Sequence, residues 1–160
     1  MVEILAAVTI MSIISVIFIG YFVSAMNKST EQNKRIIGAN LARQKAAEVR
    51  EFYRTDSAGY PLLLSGFSTT VRTREFTETN DSLLVHNGFL SPMEINGTQY
   101  RFLVRVDNDN SRRSVLGTMA SAPDLVDRYL LNMRVSVYWG DEASYEAQKT
   151  SIESYVVKGW

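Results

Sequence analysis

Between Val2 and Met26 the chain carries one charged side chain, Glu3, and from Ile4 to Met26 every residue is apolar or small and weakly polar. A helix of a soluble core would show a polar face, and this run has none. Its length meets the requirement of about 20 apolar residues for crossing a hydrocarbon layer roughly 30 Å thick. A secretory signal peptide is the competing reading, but its apolar region is only about 7 to 15 residues long. The pattern therefore predicts a retained membrane helix over residues 1–26.

From Asn27 to Arg54 the chain becomes polar without a proline, and the single Gly38 costs about 1 kcal/mol relative to Ala without stopping a helix. Ala39, Ala42, Ala46, Val49 and Tyr53 recur at spacings of three and four, with Leu41 and Phe52 beside them; Lys28, Lys34, Arg35, Arg43, Arg50 and Arg54 lie on the opposite face. That is an amphipathic continuation of the helix over 27–54. It ends at the cluster from Thr55 to Tyr60, before Pro61. A helix of about fifty residues is on the order of 80 Å long at about 1.5 Å per residue.

Beyond Pro61 the period changes to two. Tyr100, Phe102, Val104 and Val106 alternate with Gln99, Arg101, Leu103 and Arg105, and Met133, Val135, Val137 and Trp139 alternate with Asn132, Arg134, Ser136 and Tyr138. Both runs read as half-buried strands. Asn96-Gly97 predicts a tight hairpin back to Met93–Ile95, since both central positions of that turn take positive φ. Gly140 to Ser144 joins the second run to a final strand over 145–157, Thr69 to Glu78 is a weaker strand, and Ala120 to Leu131 holds a short helix or loop. The element order implies an α+β fold: one long N-terminal helix, membrane-spanning and then amphipathic, packed on a small antiparallel sheet in a headpiece of residues 55–160.

Composition acts mainly by exclusion. With no cysteine, disulfides, thiolate metal sites and cysteine nucleophiles are absent, and one histidine, His86, leaves no clustered imidazole ligands. Lys+Arg and Asp+Glu both number 17, for a net charge of +0, which removes the electrostatic case for a nucleic-acid site. The balance hides a segregation: residues 27–54 hold seven basic and three acidic side chains, +4, whereas residues 55–160 hold ten basic and thirteen acidic, −3.

Candidate chemistry is sparse. His86 lies in a turn-like Val85-His86-Asn87-Gly88 context, and no phosphate-cradling glycine loop or G-x-S-x-G elbow occurs. Asp107-Asn108-Asp109-Asn110-Ser111 opens like a calcium loop, but Arg112 stands where the turn glycine belongs and Thr118 where the bidentate Glu belongs. A polar turn between strands accounts for it, and solubility accounts for Asp141-Glu142. No catalytic constellation, metal site or cofactor is expected.

Glu3 is the unusual residue. Its bland reading is an interfacial carboxylate favoured by the helix dipole; the sharper one is a carboxylate partnered by another molecule. Ala6, Ala7, Ser12, Ser15 and Gly20 would let neighbouring helices approach. Val2-Glu3-Ile4-Leu5-Ala6-Ala7-Val8 and the apolar run after it resemble the N-terminal segment of type IV pilins and the pseudopilins of type II secretion and competence pili. The strands near 134–139 and 145–157 resemble the closing hairpin of minor pilins. Glu3 lies two positions nearer the start than the family's mature glutamate, and the disulfide-closed loop of many major pilins has no cysteines here.

That resemblance implies a structural subunit, of the minor or accessory kind, of a pilus or pseudopilus. It would be stored in the membrane and assembled with other pilin-like subunits by helix packing, for secretion, DNA uptake, adhesion or motility. It also implies a prepilin peptidase, an assembly platform, and Glu3 paired with a neighbour's N-terminus. Lys28, Lys34 and Arg35 would by themselves place the headpiece in the cytoplasm; the resemblance implies a single-pass protein of the cytoplasmic membrane with an extracytoplasmic headpiece, later a filament. A membrane-tethered binding or sensor domain that does not polymerise is the alternative.

Overall fold

The computed structural model describes residues 2–55, 59, 63, 65–67, 71–81, 84–108, 130–140 and 148–157. Helix α1 covers Val2–Thr55, followed by strands β1 (Thr73–Phe76), β2 (Met93–Ile95), β3 (Thr98–Asp107), β4 (Leu130–Trp139) and β5 (Lys149–Val157). This is an α+β layout of one long N-terminal helix and a small antiparallel sheet. The chain divides into two compact units, Met1–Ile36 and Ile37–Trp160.

In the second unit the sheet runs in the order β1-β3-β4-β5, and β2 also pairs with β3. Tyr100 pairs with Met93 of β2 and with Trp139 of β4, so β2 lies on the edge of β3 that β1 also occupies. Asn96 and Gly97 have φ of 52° and 71°, the left-handed pair that the hairpin sequence anticipates. Alternation sets the faces: Tyr100, Phe102, Val104 and Val106 of β3, with Leu131, Met133, Val135, Val137 and Trp139 of β4, are buried in one cluster with Leu41, Ala42, Ala46, Val49 and Tyr53 of α1.

Gly38 has a role that its propensity cost did not suggest. A Cβ there would lie 3.0 Å from both Trp139 Cζ3 and Thr150 Cγ2, so the missing side chain allows helix and sheet to meet closely. Of the expected stripe, Ala39 and Phe52 are only half-buried.

Three strand boundaries differ from expectation. Leu130 and Leu131 belong to β4, paired with Val157 and Val156; consecutive apolar residues had masked an alternation in which Leu131 keeps step with Met133. The strand expected over 69–78 is shorter, because Asn80 caps it: its side chain accepts from the Thr77 N–H at 2.6 Å and donates to the Glu75 carbonyl at 3.0 Å. The final strand starts at Lys149. Residues 145–147, the segment 120–129, the acidic pair Asp141-Glu142, Asp109 to Thr118 of the calcium-like stretch, and Thr69 lie outside the described residues.

Candidate functional site

From Val2 to Met26, α1 exposes its apolar side chains all round; Val2, Met11, Val16 and Tyr21 are each 70% exposed or more. Among the described residues this is the one helix long and apolar enough to cross a membrane. Three of its hydroxyls donate within the helix: Thr9 to the Leu5 carbonyl at 2.7 Å, Ser12 to Val8 at 2.8 Å and Ser15 to Met11 at 2.8 Å. No hydroxyl hydrogen of these three is left to be stranded in hydrocarbon.

Glu3 sits in the first helical turn, where the unpaired backbone N–H groups favour an anion. At about 100° per residue, Ala6 and Ala7 share its side of the helix, whereas Ser15 and Ser12 lie roughly 120 to 180° away. Gly20 falls nearer Ala6, with open space around its Cα. The small residues thus form separate patches rather than one seam. Only the Glu3-Ala6-Ala7 patch combines a charge with room for close approach.

The outward face of the sheet carries a feature that the sequence did not single out. Arg105 and Arg134 stand directly opposite each other on β3 and β4, a like-charge pairing that destabilises a sheet on its own. Carboxylates on both sides cancel it. Glu75 faces Arg105 at 3.8 Å, Asp107 accepts from Arg105 Nε at 3.2 Å, and Glu153 holds Arg134 at 2.6 Å. The Glu153 carboxylate raises the Arg134 guanidinium further above its ordinary value. A groove of about 400 Å³ with Arg72, Arg105, Asp107, Asn132, Arg134 and Glu153 in its lining covers this row. The guanidiniums are roughly half exposed and already neutralised, so the row acts chemically as a solvated charge ladder.

Asp81 orders the loop between β1 and β2 from within, and Tyr53 and Lys45 tie that loop to the helix. Asp81 is buried; its Oδ2 accepts from the Leu90 N–H at 2.8 Å, and its carbonyl from Leu84 and Val85. The Tyr53 hydroxyl donates to the Leu84 carbonyl. Lys45 lays its ammonium 4.4 Å from the centre of the Phe89 ring while pairing with Glu48 at 3.0 Å. His86 is exposed and meets Phe89 edge-on. Among the described residues no group of three His, Asp or Glu side chains is placed to hold a metal ion.

No protein-family model, curated protein or solved structure matches this chain.

Proposed function

We propose that the protein is a subunit, of the minor or accessory kind, of a filament resembling a type IV pilus or pseudopilus. The observation that carries this reading is a helix apolar on every side from Ile4 to Met26, with one carboxylate at its start, that continues without a break into a half bearing an apolar stripe buried under an antiparallel sheet. Such a segment has two apolar environments open to it, lipid and a bundle of like helices. Transfer from one to the other avoids exposing the surface to water.

On this reading Glu3 sets register by neutralising the amine at a neighbouring subunit's N-terminus, and Ala6 and Ala7 give that neighbour room. Ser12, Ser15 and Gly20 serve as separate close-approach points for further helices. The partners are other pilin-like subunits, with membrane lipid before assembly and a prepilin peptidase and platform protein acting on the chain. The headpiece is extracytoplasmic and has no enzymatic role.

The test is Glu3→Ala. Breaking one side of a pair buried in a filament costs about 3 to 5 kcal/mol, so incorporation into sheared filaments should fall by about 100-fold or more while membrane levels hold. Wild-type recovery with the filaments would refute the role of Glu3. Failure of the unmodified protein to leave cells with sheared filaments would favour a tethered domain that does not polymerise.

A further inference from the structure

Within the unit Ile37–Trp160, α1 exposes Arg43, Arg50 and Arg54 along one flank, roughly 100 to 140° around the helix from its buried stripe. Their spacings of seven and four residues align them along one line, about 10 and 6 Å apart. Arg54 pairs with Glu51 at 2.7 Å and Arg43 donates to Asn40 at 3.3 Å. Arg50 is exposed and has no ion pair among the described residues.

The sheet edge formed by β1 and β2 carries Arg72 and Arg74 at its start and a row of three carboxylates after them. Glu75 lies on β1, Glu78 in the turn just after it and Glu94 on β2, all exposed. Glu78 and Glu94 have no ion pair among the described residues, while Glu75 is shared with Arg105 at 3.8 Å. Glu75 is opposite Arg105 and Glu94 is opposite Gln99, so the edge runs about 20 Å at roughly 3.3 Å per residue. The arginine line from Arg43 to Arg54 is about 17 Å long. Sign and length match.

We propose that the Arg43-Arg50-Arg54 ridge of one copy docks on the Glu75-Glu78-Glu94 edge of a second copy of this chain. The two patches are different surfaces of the same unit, so the contact is heterologous and repeats from copy to copy into an open assembly unless its rotation closes a ring. Guanidiniums suit this role because each can grip a carboxylate with two parallel donors. The contact is local: the described residues of 55–160 hold six basic and six acidic side chains, so it rests on where Glu75, Glu78 and Glu94 stand and not on a charge total. This inference rests on the filament reading and names the contact by which copies add.

The test uses the full-length chain in filament-forming cells. Recovery of wild type with sheared filaments checks the filament reading independently; its absence overturns that reading whatever the ridge does. With wild type recovered, Arg43→Glu/Arg50→Glu should lower incorporation by about tenfold or more through like-charge repulsion. Adding Glu78→Arg/Glu94→Arg to the same chain should restore it. Undiminished incorporation of the ridge variant overturns the proposal, as does loss without restoration, which would make the ridge's partner a different subunit. Should the reversed variants fail to reach the membrane, the absence of native cysteine allows a second measurement. Copies with Arg50→Cys mixed with tagged copies bearing Glu78→Cys or Glu94→Cys should give a mixed disulfide dimer on oxidation, and its absence with both partners overturns the proposal.

Discussion

Replacing Gly38 with Ala sets two effects of opposite sign against each other. In a helix interior Ala is favoured over Gly by about 1 kcal/mol, and a glycine with open space around it would give that gain in full. At Gly38 the new methyl would lie 3.0 Å from Trp139 Cζ3, 3.0 Å from Thr150 Cγ2 and 3.4 Å from Trp139 Cε3, where carbon atoms prefer about 3.5 to 4.0 Å. Trp139 has little room to move: it is fully buried, with the Tyr100 ring 6.3 Å from its own. Overpacking of this kind costs about 1 to 3 kcal/mol. The expected net effect of Gly38→Ala is therefore between neutral and about 2 kcal/mol of lost stability. Ala47→Gly, on the exposed side of the same helix, should lose about 1 kcal/mol through propensity alone. Urea unfolding of the full-length protein in detergent micelles, followed by near-ultraviolet circular dichroism, measures both. A Gly38→Ala variant that is more stable by about 1 kcal/mol would refute the close-packing account.

The same unfolding measurement applies to Asp81. Asp81→Ala should cost about 1 to 3 kcal/mol by leaving the buried Leu90 N–H without its acceptor, and Asp81→Asn, which keeps an acceptor, should cost clearly less; equal losses would sink that role. Ile10→Lys/Ile14→Lys/Phe18→Lys puts three ammoniums in the apolar run at a cost of about 7.5 to 10.5 kcal/mol, more than its remaining Ile, Leu, Val and Phe side chains supply at about 0.3 to 0.6 kcal/mol each, so the protein should shift from the membrane pellet to the soluble fraction on alkaline carbonate extraction, and unchanged pelleting would contradict a spanning helix. The Arg54 hydrogen bond holds the Glu51 carboxyl below its ordinary value of 4.5, so this pair stabilises the fold above that pH and is lost as pH falls through the lowered value. Because the pair is exposed, wild type and Glu51→Gln should differ only slightly at neutral pH and not at all in high salt; a salt-resistant difference would show that the side chain does something else.

Element types were readable from the sequence wherever a single period dominated. The helix stripe through Ala42, Ala46, Val49 and Tyr53, and the alternation through β3 and β4, record burial on one side of a regular element, and burial is what periodicity encodes. Leu130 and Leu131 were misassigned because adjacent apolar residues carry no period at all. Gly38 and Lys45 illustrate a different limit. A glycine has no side chain to report its neighbour, and a lysine reads as polar surface even where its stem and ammonium lie against Phe89. Both depend on which sheet residue faces which turn of the helix, a relation that local pattern does not contain.

The candidate surfaces divide along the same line. The apolar helix with Glu3 at its start was legible in full, since its evidence is the composition of one continuous segment. The ladder Glu75, Arg105, Arg134 and Glu153 was not, although Arg105 and Arg134 were already placed on the outward side of their strands. Only the register of three strand pairs puts the two arginines opposite each other and brings a carboxylate to each flank. The acidic edge likewise requires knowing that β1 and β2 share one side of β3. Charge totals could not show this, because the described residues of 55–160 balance at six basic and six acidic; only the fold sets Glu75, Glu78 and Glu94 in a line of length similar to that of Arg43, Arg50 and Arg54, and length is what allows one copy to be tested against the next.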